Sequence, residues 1–212
     1  MIKKLTTIST IILMGTQLSA DGFNDNYLQV GYTSSNFKFV DEIMDIKGSV
    51  ELGNGFSIIG RYGRETGEWS DPGEYETSTY SGYRIGIGKA YRLNGNTEIT
   101  SSISYLDYTF KQTIKPNWRS TTTSRPTTKA DSYIGSVGVR NMSPNNFETN
   151  LQINAFRGGK MKSKSNEVEL SVIKHFNDKL GFGLRVLHHD AAPAASYKSD
   201  FTEYGLFIRT SF

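Results

Sequence analysis

The sequence predicts an all-β protein, an antiparallel transmembrane β-barrel of about ten strands, with eight strands as the alternative. Three observations predict this fold. Apolar and polar residues alternate along most of the chain, which is the period of a β-strand. Tight turns rich in Asn and Gly alternate with longer polar connections. The chain of 212 residues ends in Phe212, which closes a segment with apolar residues on one face.

Residues 1–20 are predicted to be a cleavable signal peptide, so that residues 21–212 form one barrel domain. Lys3 and Lys4 give a positive start, an apolar stretch follows to Leu18, and Ser19-Ala20 precede the expected cleavage point. Loss of the two lysines lowers the net charge from +3 to +1, unlike the strongly basic balance of a nucleic-acid-binding protein. The chain has no cysteine, which excludes a lipid-modified cysteine and a disulfide framework.

Ten strand candidates follow the signal peptide, each with an apolar face and a polar face. One residue from each apolar face, in chain order, is Val30, Val50, Ile58, Ile87, Ile103, Val137, Leu151, Leu170, Leu184 and Ile208. After the signal peptide no segment approaches the roughly 18 consecutive apolar residues of a membrane-spanning helix. The membrane is therefore expected to be crossed by strands.

The connections between these strands differ in length. Four are predicted to be tight turns, at Gly53-Asn54-Gly55, Asn94-Gly95-Asn96, residues 143–146 and Asn177-Asp178-Lys179. Five are predicted to be longer loops, among them residues 66–79 and 113–129. Short periplasmic turns and long extracellular loops are typical of transmembrane barrels. An even strand number then places both the N-terminus and the C-terminus on the periplasmic side.

Alternation alone does not separate a membrane barrel from a soluble one, because a soluble barrel points its apolar face inward. The signal peptide, the terminal Phe and the placement of aromatic residues favour the membrane. Five aromatic residues lie beside short turns or the C-terminus, where an interfacial girdle is expected: Phe56, Tyr91, Phe147, Phe176 and Phe212. A soluble periplasmic barrel is the alternative.

The last segment resembles a known type of strand. Tyr204, Leu206, Ile208 and Phe212 share one face, as in the closing strand of outer-membrane barrels, whose C-terminal aromatic residue is part of the signal that the barrel assembly machinery reads. The whole mature chain resembles the small Gram-negative outer-membrane barrels of the OmpA/OmpX-like group. The resemblance rests on pattern, turns and the terminal Phe, and it departs from that group in counting ten strands instead of eight.

This resemblance implies a monomeric, multi-pass protein of the cell outer membrane that contacts membrane lipid and lipopolysaccharide. It implies no cofactor, no metal and no nucleic-acid partner. The implied function is a structural or surface-interaction role, such as membrane integrity or adhesion. A narrow, porin-like solute channel is the second hypothesis, and a barrel enzyme that acts on lipid or peptide is the third.

Charged residues on the polar faces are expected to form a network inside the barrel. This predicted lumen network comprises Glu51, Arg61, Arg84, Arg92, Glu98, Arg140, Glu148, Glu169, Arg185, Glu203 and Arg209. Arg92 with Glu98 and Arg140 with Glu148 are symmetric about tight turns, and Glu169 and Arg185 approach each other around a third. Isolated charges in a narrow lumen are costly, so pairing is expected.

This network has two interpretations. In the first, which we favour, the ion pairs fill and stiffen the interior, since barrels of this size are nearly filled by their own side chains. In the second, a narrow polar pore remains. Glycines on the inner face would leave room for a pore or would relieve crowding, namely Gly86, Gly88, Gly138, Gly181, Gly183 and Gly205.

Two of the predicted extracellular loops are basic. Their cations are Lys115, Arg119, Arg125, Lys129, Arg157, Lys160, Lys162 and Lys164. Charge runs are usually just solvated loop surface. The functional hypothesis is contact with lipopolysaccharide phosphates or another polyanion outside the cell.

The one sequence that looks catalytic is His188-His189-Asp190, at the outer end of the ninth predicted strand. Neighbours on a strand face opposite ways, so His189 is expected to point inward and His188 toward the lipid headgroups. Ser196 is near in sequence, but no known nucleophile–base motif is present. We expect no enzyme activity, no catalytic residues and no metal site.

Overall fold

The computed structural model describes residues 23–36, 41–71, 74–116, 123–159, 164–190 and 200–212. The predicted signal peptide lies outside the described residues, as do Arg119, Lys160, Lys162 and Ser196 of the predicted loops. Within the described residues, no helix is long and apolar enough to cross a membrane.

The described chain forms eleven strands, of which ten are long. They are β1 (Tyr27–Ser35), β2 (Glu42–Gly53), β3 (Phe56–Asp71), β4 (Glu74–Asn94), β5 (Thr97–Pro116), β6 (Thr123–Ser124), β7 (Thr128–Met142), β8 (Phe147–Arg157), β9 (Ser165–His175), β10 (Leu180–His189) and β11 (Phe201–Ser211). The two-residue β6 pairs only with the end of β5.

The ten long strands close into an antiparallel barrel. Each strand pairs with its neighbours in chain order, and β1 pairs with β11 to complete the circuit. The β1–β11 pairing runs from Tyr27 opposite Ser211 to Ser35 opposite Glu203. We call this junction of the first and last strands the seam. The predicted barrel of ten strands is confirmed.

The two ends of the barrel differ as predicted. The four tight turns and both described termini lie at one end, which we call the turn end. The turn at Gly53-Asn54-Gly55 has φ values of 101°, 54° and 75°, which Gly and Asn adopt more readily than other residues. The opposite end, the loop end, carries the other five connections, four of which are longer than the tight turns, whereas β3 ends at Asp71 and β4 begins at Glu74.

The apolar face points outward. Ile103 and Met44 are 74% and 66% exposed, while the inward neighbours Ser104 and Asp45 are buried. The same alternation of exposed apolar and buried polar residues runs along β1, β9, β10 and β11. Exposing a continuous apolar belt to water is unfavourable, so this surface requires lipid.

Aromatic side chains border the apolar belt at both ends. Phe56, Tyr91, Phe147 and Phe176 are exposed at the turn end, as the sequence predicts. A second girdle at the loop end is made of outward tyrosines: Tyr32, Tyr62, Tyr83, Tyr105, Tyr133 and Tyr204. Tyr204 and Phe212 are eight residue steps apart, or about 27 Å along an extended chain. This length is of the same order as the apolar band of membrane barrels.

One side of the barrel is much taller than the rest. At the rim, Glu42, Thr66, Thr79 and Lys111 are aligned across β2 to β5. Beyond this row β3, β4 and β5 continue without β2. The predicted loops at residues 66–79 and 113–129 are therefore wrong in part, because both contain paired strands. Their faces are polar on both sides, so no apolar alternation revealed them.

Candidate functional site

The centre of the lumen holds an ion-pair chain that crosses the seam. Arg185 on β10 donates to both carboxylate oxygens of Asp45 on β2, with Nη1 at 3.1 Å from Oδ2. Asp45 also accepts a hydrogen bond of 3.0 Å from Nε of Arg61 on β3. Arg185 and Asp45 are almost completely buried. We call Arg185, Asp45 and Arg61 the seam brace, because they join strands on both sides of the β1–β11 junction.

Two glycines clear the path of the seam brace. Gly205 on β11 lies opposite Arg185, and a Cβ atom there would approach Arg185 Nε to 3.0 Å. Gly31 on β1 lies opposite Asp45, and a Cβ atom there would approach Asp45 Oδ1 to 2.6 Å. The Arg185 guanidinium therefore lies flat over β11 and β1, where Thr33 Oγ1 accepts its Nε–H at 3.1 Å. These glycines make room for the arginine and leave no open space.

The other inner-face glycines are crowded as well. A Cβ atom on Gly183 would collide with the Phe207 ring, and one on Gly181 would approach Ile173 to 2.8 Å. On the opposite side, a Cβ on Gly86 would collide with Ser104, and one on Gly138 would approach Leu151 O to 2.8 Å. Of the two predicted roles for these glycines, relief of crowding is the one that the packing matches.

A second ion-pair cluster lies near the turn end. Arg140 on β7 donates from Nε to Glu98 of β5 at 2.7 Å, and its Nη1 lies 4.0 Å from Glu148 of β8. Arg209 on β11 reaches three strands across to donate to Glu148 at 2.9 Å. His175 Nε2 is 3.0 Å from the other oxygen of Glu148. These groups are largely buried, so each charge is compensated by a neighbour.

The segment before β1 crosses the opening at the turn end. Asp25 accepts a hydrogen bond of 2.6 Å from Arg140 on β7, which lies five strands from β1 in either direction around the barrel. Phe23 is 2% exposed, and its ring centroid is 4.6 Å from Arg140 Cζ. Asn26 O accepts from Phe212 N at 3.1 Å, which holds the segment against the end of β11. Residues 23–26 thus lie across the mouth.

The loop end of the lumen is acidic. His189 points inward, with Nε2 at 3.2 Å from Glu203 and 3.6 Å from Glu167, and its ring stacks on Phe201 at 4.2 Å. His188 points outward and contacts Thr202 Oγ1 at 3.2 Å. The opposite orientations predicted for the two histidines are as observed.

Asp190 follows β10 at the rim. Its carboxylate accepts from the backbone N–H of Asn166 at 2.6 Å and from the Asn166 side chain. These hydrogen bonds lower the pKa of Asp190. Asp190 therefore fastens the end of β10 to the start of β9. Within the described residues, no three His, Asp or Glu side chains converge in a way that suits a metal ion.

The middle of the lumen contains a cavity of about 120 Å³. Lys47, Arg61 and Arg84 line one wall, and Glu169 lines another. Arg84 donates from Nε to Ser104 Oγ at 2.6 Å and from Nη2 to Ser136 Oγ at 3.0 Å. Neither Arg84 nor Lys47 has an ion pair within 4.0 Å among the residues that the structure describes.

The predicted lumen residues divide into three groups. Seven take part in ion pairs: Arg61, Glu98, Arg140, Glu148, Arg185, Glu203 and Arg209. Arg84 and Glu169 line the cavity. Glu51 and Arg92 are exposed at the turn end and lie outside the buried network.

Two of the three ion pairs inferred from hairpin symmetry have other partners in the structure. Arg92 and Glu98 are opposite each other, but the ion pair of Glu98 is made by Arg140 from the other neighbouring strand. Arg140 and Glu148 do form the predicted ion pair, with Nη1 at 4.0 Å from Oε1, but they meet diagonally, because Glu148 lies opposite Met142. Arg185 pairs with Asp45 instead of Glu169. Symmetry about a turn identifies residues that face each other on adjacent strands. An arginine side chain is long enough to pair with a carboxylate at a diagonal position or on a more distant strand.

Sequence reasoning missed several partners in these clusters. Asp45, Asp25, Glu167 and His175 were not among the predicted lumen residues. Asp45 lies two residues before Lys47 on the same polar face of β2, so the alternation itself was a usable signal. Asp25 precedes the first strand and gave no periodic signal at all.

The predicted polyanion-binding cations lie in different settings. Lys115 and Lys129 are exposed on β5 and β7, and Arg125 and Lys164 are exposed outside the long strands. Arg157 is engaged locally, because its guanidinium donates to Phe156 O, Ser165 O and Asn166 Oδ1. It closes the β8–β9 connection.

The predicted assembly-signal residues lie on β11 and at the chain end. Tyr204, Leu206 and Ile208 face outward and are about half exposed, and Phe212 follows Ser211, where β11 ends. At the turn-end girdle, Lys89 Nζ lies 3.8 Å from the Phe56 ring centroid, and Lys174 Nζ lies 4.6 Å from that of Phe147. Lysines at this level can extend their ammonium groups to the headgroups.

A closed ten-strand barrel with an apolar belt outside, two aromatic girdles and a charged interior defines an outer-membrane β-barrel. The chain is a small, multi-pass protein of this class. No protein-family model matches the chain, and no curated protein matches it in sequence.

Solved structures share the fold. The NanC porin is 8% identical with a TM-score of 0.52, and the match covers 87% of this chain and 100% of that one. The translocator domain of the autotransporter NalP from Neisseria meningitidis is 9% identical with a TM-score of 0.51, covering 99% and 94%. Likeness at this level of identity establishes the barrel fold alone.

Proposed function

We propose that the protein is a braced, non-conducting barrel that binds lipopolysaccharide phosphates through cations on its outer surface. In this proposal the loop end is extracellular and the turn end, with both termini, is periplasmic. The barrel assembly machinery inserts the chain, which then functions as a monomer. The single observation that carries the proposal is a row of lysines just beyond the tyrosine girdle.

These lysines lie on the outward face of the tall side of the barrel. Tyr105 and Tyr133 mark the edge of the apolar belt and contact each other with ring centroids 5.6 Å apart. Lys111 and Lys115 follow on β5, and Lys129 precedes on β7, all exposed and on the same outward face by strand alternation. We call Lys111, Lys115 and Lys129 the outer basic patch.

The height of this patch relative to the membrane determines which lipid groups it contacts. Interfacial tyrosines sit at headgroup level. Asp107 and Asp131 lie between the tyrosines and the lysines, so the ammonium groups project beyond the belt to where phosphates of the outer leaflet lie. Basic residues at an anionic membrane surface contribute about 1 kcal/mol each. The outer basic patch is thus suited to hold lipopolysaccharide against the tall wall.

Charge reversal tests the proposal. The variant Lys111→Glu/Lys129→Glu should co-purify with at least fivefold less lipopolysaccharide than the unmodified barrel after extraction in mild detergent. The control is Lys179→Glu, which reverses an exposed charge at the turn end and should leave the amount unchanged. Equal loss in both variants, or loss in neither, would contradict the proposal.

The groups around His188 and His189 do not support a catalytic role. His189 is held by Glu203 and Glu167 and covered by Phe201, and the hydroxyl beside His188 belongs to Thr202, on the outward face. We propose that His189 helps to balance the acidic rim, and that the protein is not an enzyme. A His189→Ala variant should therefore show the same background as the unmodified barrel in lipid and peptide cleavage assays.

A narrow channel is the second candidate, and the lumen cavity is what favours it. The NanC porin has the same fold, but the cavity of this chain is backed by residues 23–26 at the turn end. We propose that the intact barrel does not conduct. Single-channel recordings in planar bilayers should show no discrete steps above background, and regular steps would favour the channel.

A further inference from the structure

The wall of the lumen cavity carries a row of three cations. Lys47 on β2 lies opposite Arg61 on β3, and Arg61 lies opposite Arg84 on β4. All three point inward and line the same cavity. Like charges directly opposite one another on neighbouring strands are destabilising. A row of this kind favours the binding of an anion beside it.

The available carboxylates do not balance these cations. Asp45 pairs with Arg61, but it is shared with Arg185. Lys47 and Arg84 have no carboxylate within 4.0 Å in the described part of the chain. Glu169, from β9 on the other wall, is the one cavity-lining carboxylate without an ion pair among the described residues. The row of three cations together with its one ion-paired carboxylate therefore keeps a net positive charge.

Arg84 also has unused hydrogen-bond donors. A guanidinium carries five N–H groups, and the described partners Ser104 and Ser136 take two of them. The remaining groups border the cavity, together with the hydroxyl-bearing residues Ser57 and Ser102. A planar guanidinium flanked by hydroxyl groups suits the geometry of an oxyanion.

The cavity is large enough for such a ligand. Its volume is about 120 Å³, whereas a cavity of about 150 Å³ accommodates benzene in another protein. The strands separate it from the bilayer, so its ligand has to come from water. We propose that the lumen binds a small soluble oxyanion, of the size of inorganic phosphate or sulfate, between Arg84 and Lys47. This site is independent of the outer basic patch.

Phosphate binding to the refolded barrel in a zwitterionic detergent tests the proposal. The melting temperature is measured against phosphate concentration, with sodium chloride adjusted to hold the ionic strength constant. The unmodified barrel should show a saturable rise. Arg84→Gln and Lys47→Gln should each weaken the apparent affinity at least tenfold, and Arg92→Gln, at the exposed turn end, should leave it unchanged.

The variant Glu169→Gln is expected to change the phosphate affinity in the opposite direction. It removes the one acidic group that faces the cations without an ion pair, so phosphate should bind several-fold more tightly. Without phosphate, Arg84→Gln should melt close to the unmodified barrel, because relief of the repulsion with Arg61 offsets the loss of the hydrogen bonds to Ser104 and Ser136. Such a melting temperature would show that the weaker phosphate response of Arg84→Gln is not caused by a failure to fold.

Three results would overturn the inference. The first is no saturable response of the unmodified barrel at constant ionic strength, which would mean that the cavity holds water and chloride only. The second is an equal affinity in the Arg84→Gln variant. The third is weaker binding by Glu169→Gln.

Discussion

The two halves of the lumen are built on different principles. The half around the seam, from β9 through β11 and β1 to β3, is held by arginines that reach across strands to carboxylates, with glycines beneath them. In the half that includes the tall wall, from β4 to β8, the ion pairs of Arg140 lie near the turn end, and the rest relies on hydroxyl groups and rings, such as Ser136 and the stacked pair Tyr80–Phe110. In the middle of the lumen, charge bracing is concentrated beside the seam, where the first and last strands meet.

The difference follows from how each junction forms. Neighbouring strands from β1 to β5 and from β7 to β11 are linked through short stretches of chain. The seam joins strands that are separated by almost the whole chain, so its closure carries the largest loop entropy. The seam brace links β10 to β2 and β3 and so adds contacts at that junction. We infer that the brace compensates for the lack of a local hairpin there.

Asp45→Asn should have the largest effect, because it removes the carboxylate with which Arg61 and Arg185 form their ion pairs in the buried centre. We expect a loss of about 3–5 kcal/mol in the free energy of unfolding, the usual result of breaking a buried pair from one side. Urea unfolding in detergent micelles, followed by heat-modifiable gel migration, measures it. Asp178→Asn, in an exposed tight turn, is the control and should change stability by less than about 0.5 kcal/mol.

The sequence predicts the sheet well and the seam brace poorly, because the sheet follows from local patterns and the seam brace does not. Period-two alternation, tight turns and aromatic placement are local signals, and they were enough for ten strands with the apolar face outward. Arg185 and Asp45 are 140 residues apart, and Arg140 and Asp25 are 115 apart. Their contacts depend on strand stagger across the closed barrel, which no local pattern encodes.

Gly205→Val should have the next largest effect. Its side chain would enter the space of Thr33 Oγ1, at 2.5 Å, and Arg185 Nε, at 3.0 Å, and so displace the seam brace. Overpacking of this kind costs about 1–3 kcal/mol. Gly135→Val is the matched control, because a Cβ atom at that outward position on β7 meets nothing within 4 Å. If both valines had the same effect, β propensity and not clearance for the arginine would be the cause.

Residues 23–26, which cross the opening at the turn end, should control access to the cavity more than they contribute to the stability of the barrel. The double variant Phe23→Ala/Asp25→Asn removes the ring and the carboxylate that hold residues 23–26 to Arg140. The chain has no native cysteine, so Ser102→Cys in the cavity wall serves as a single reporter. Its reaction with a small, charged thiosulfonate should be at least tenfold faster in the double variant.

The access experiment has its own control. Phe23→Leu keeps an apolar side chain at the mouth and leaves Asp25 in place, so the reporter should react at nearly the original rate. An unchanged rate in the double variant would mean that reagents enter from the loop end, past His189 and Glu203. The turn end would then contribute no barrier to entry.

Ser136→Ala should have the smallest effect and gives the sharpest test of the contrast between the halves. Ser136 Oγ accepts from Arg84 at 3.0 Å and donates to Asn154 Oδ1 at 2.5 Å. Loss of these bonds should cost about 1 kcal/mol, since Asn154 keeps its bonds to Gln152 and Glu167 and Arg84 borders a polar cavity. Ser70→Ala, exposed on the tall wall, should be neutral. A loss from Ser136→Ala as large as that from Asp45→Asn would show that the hydroxyl side braces the barrel as strongly as the seam, and that chain closure does not explain where the arginines lie.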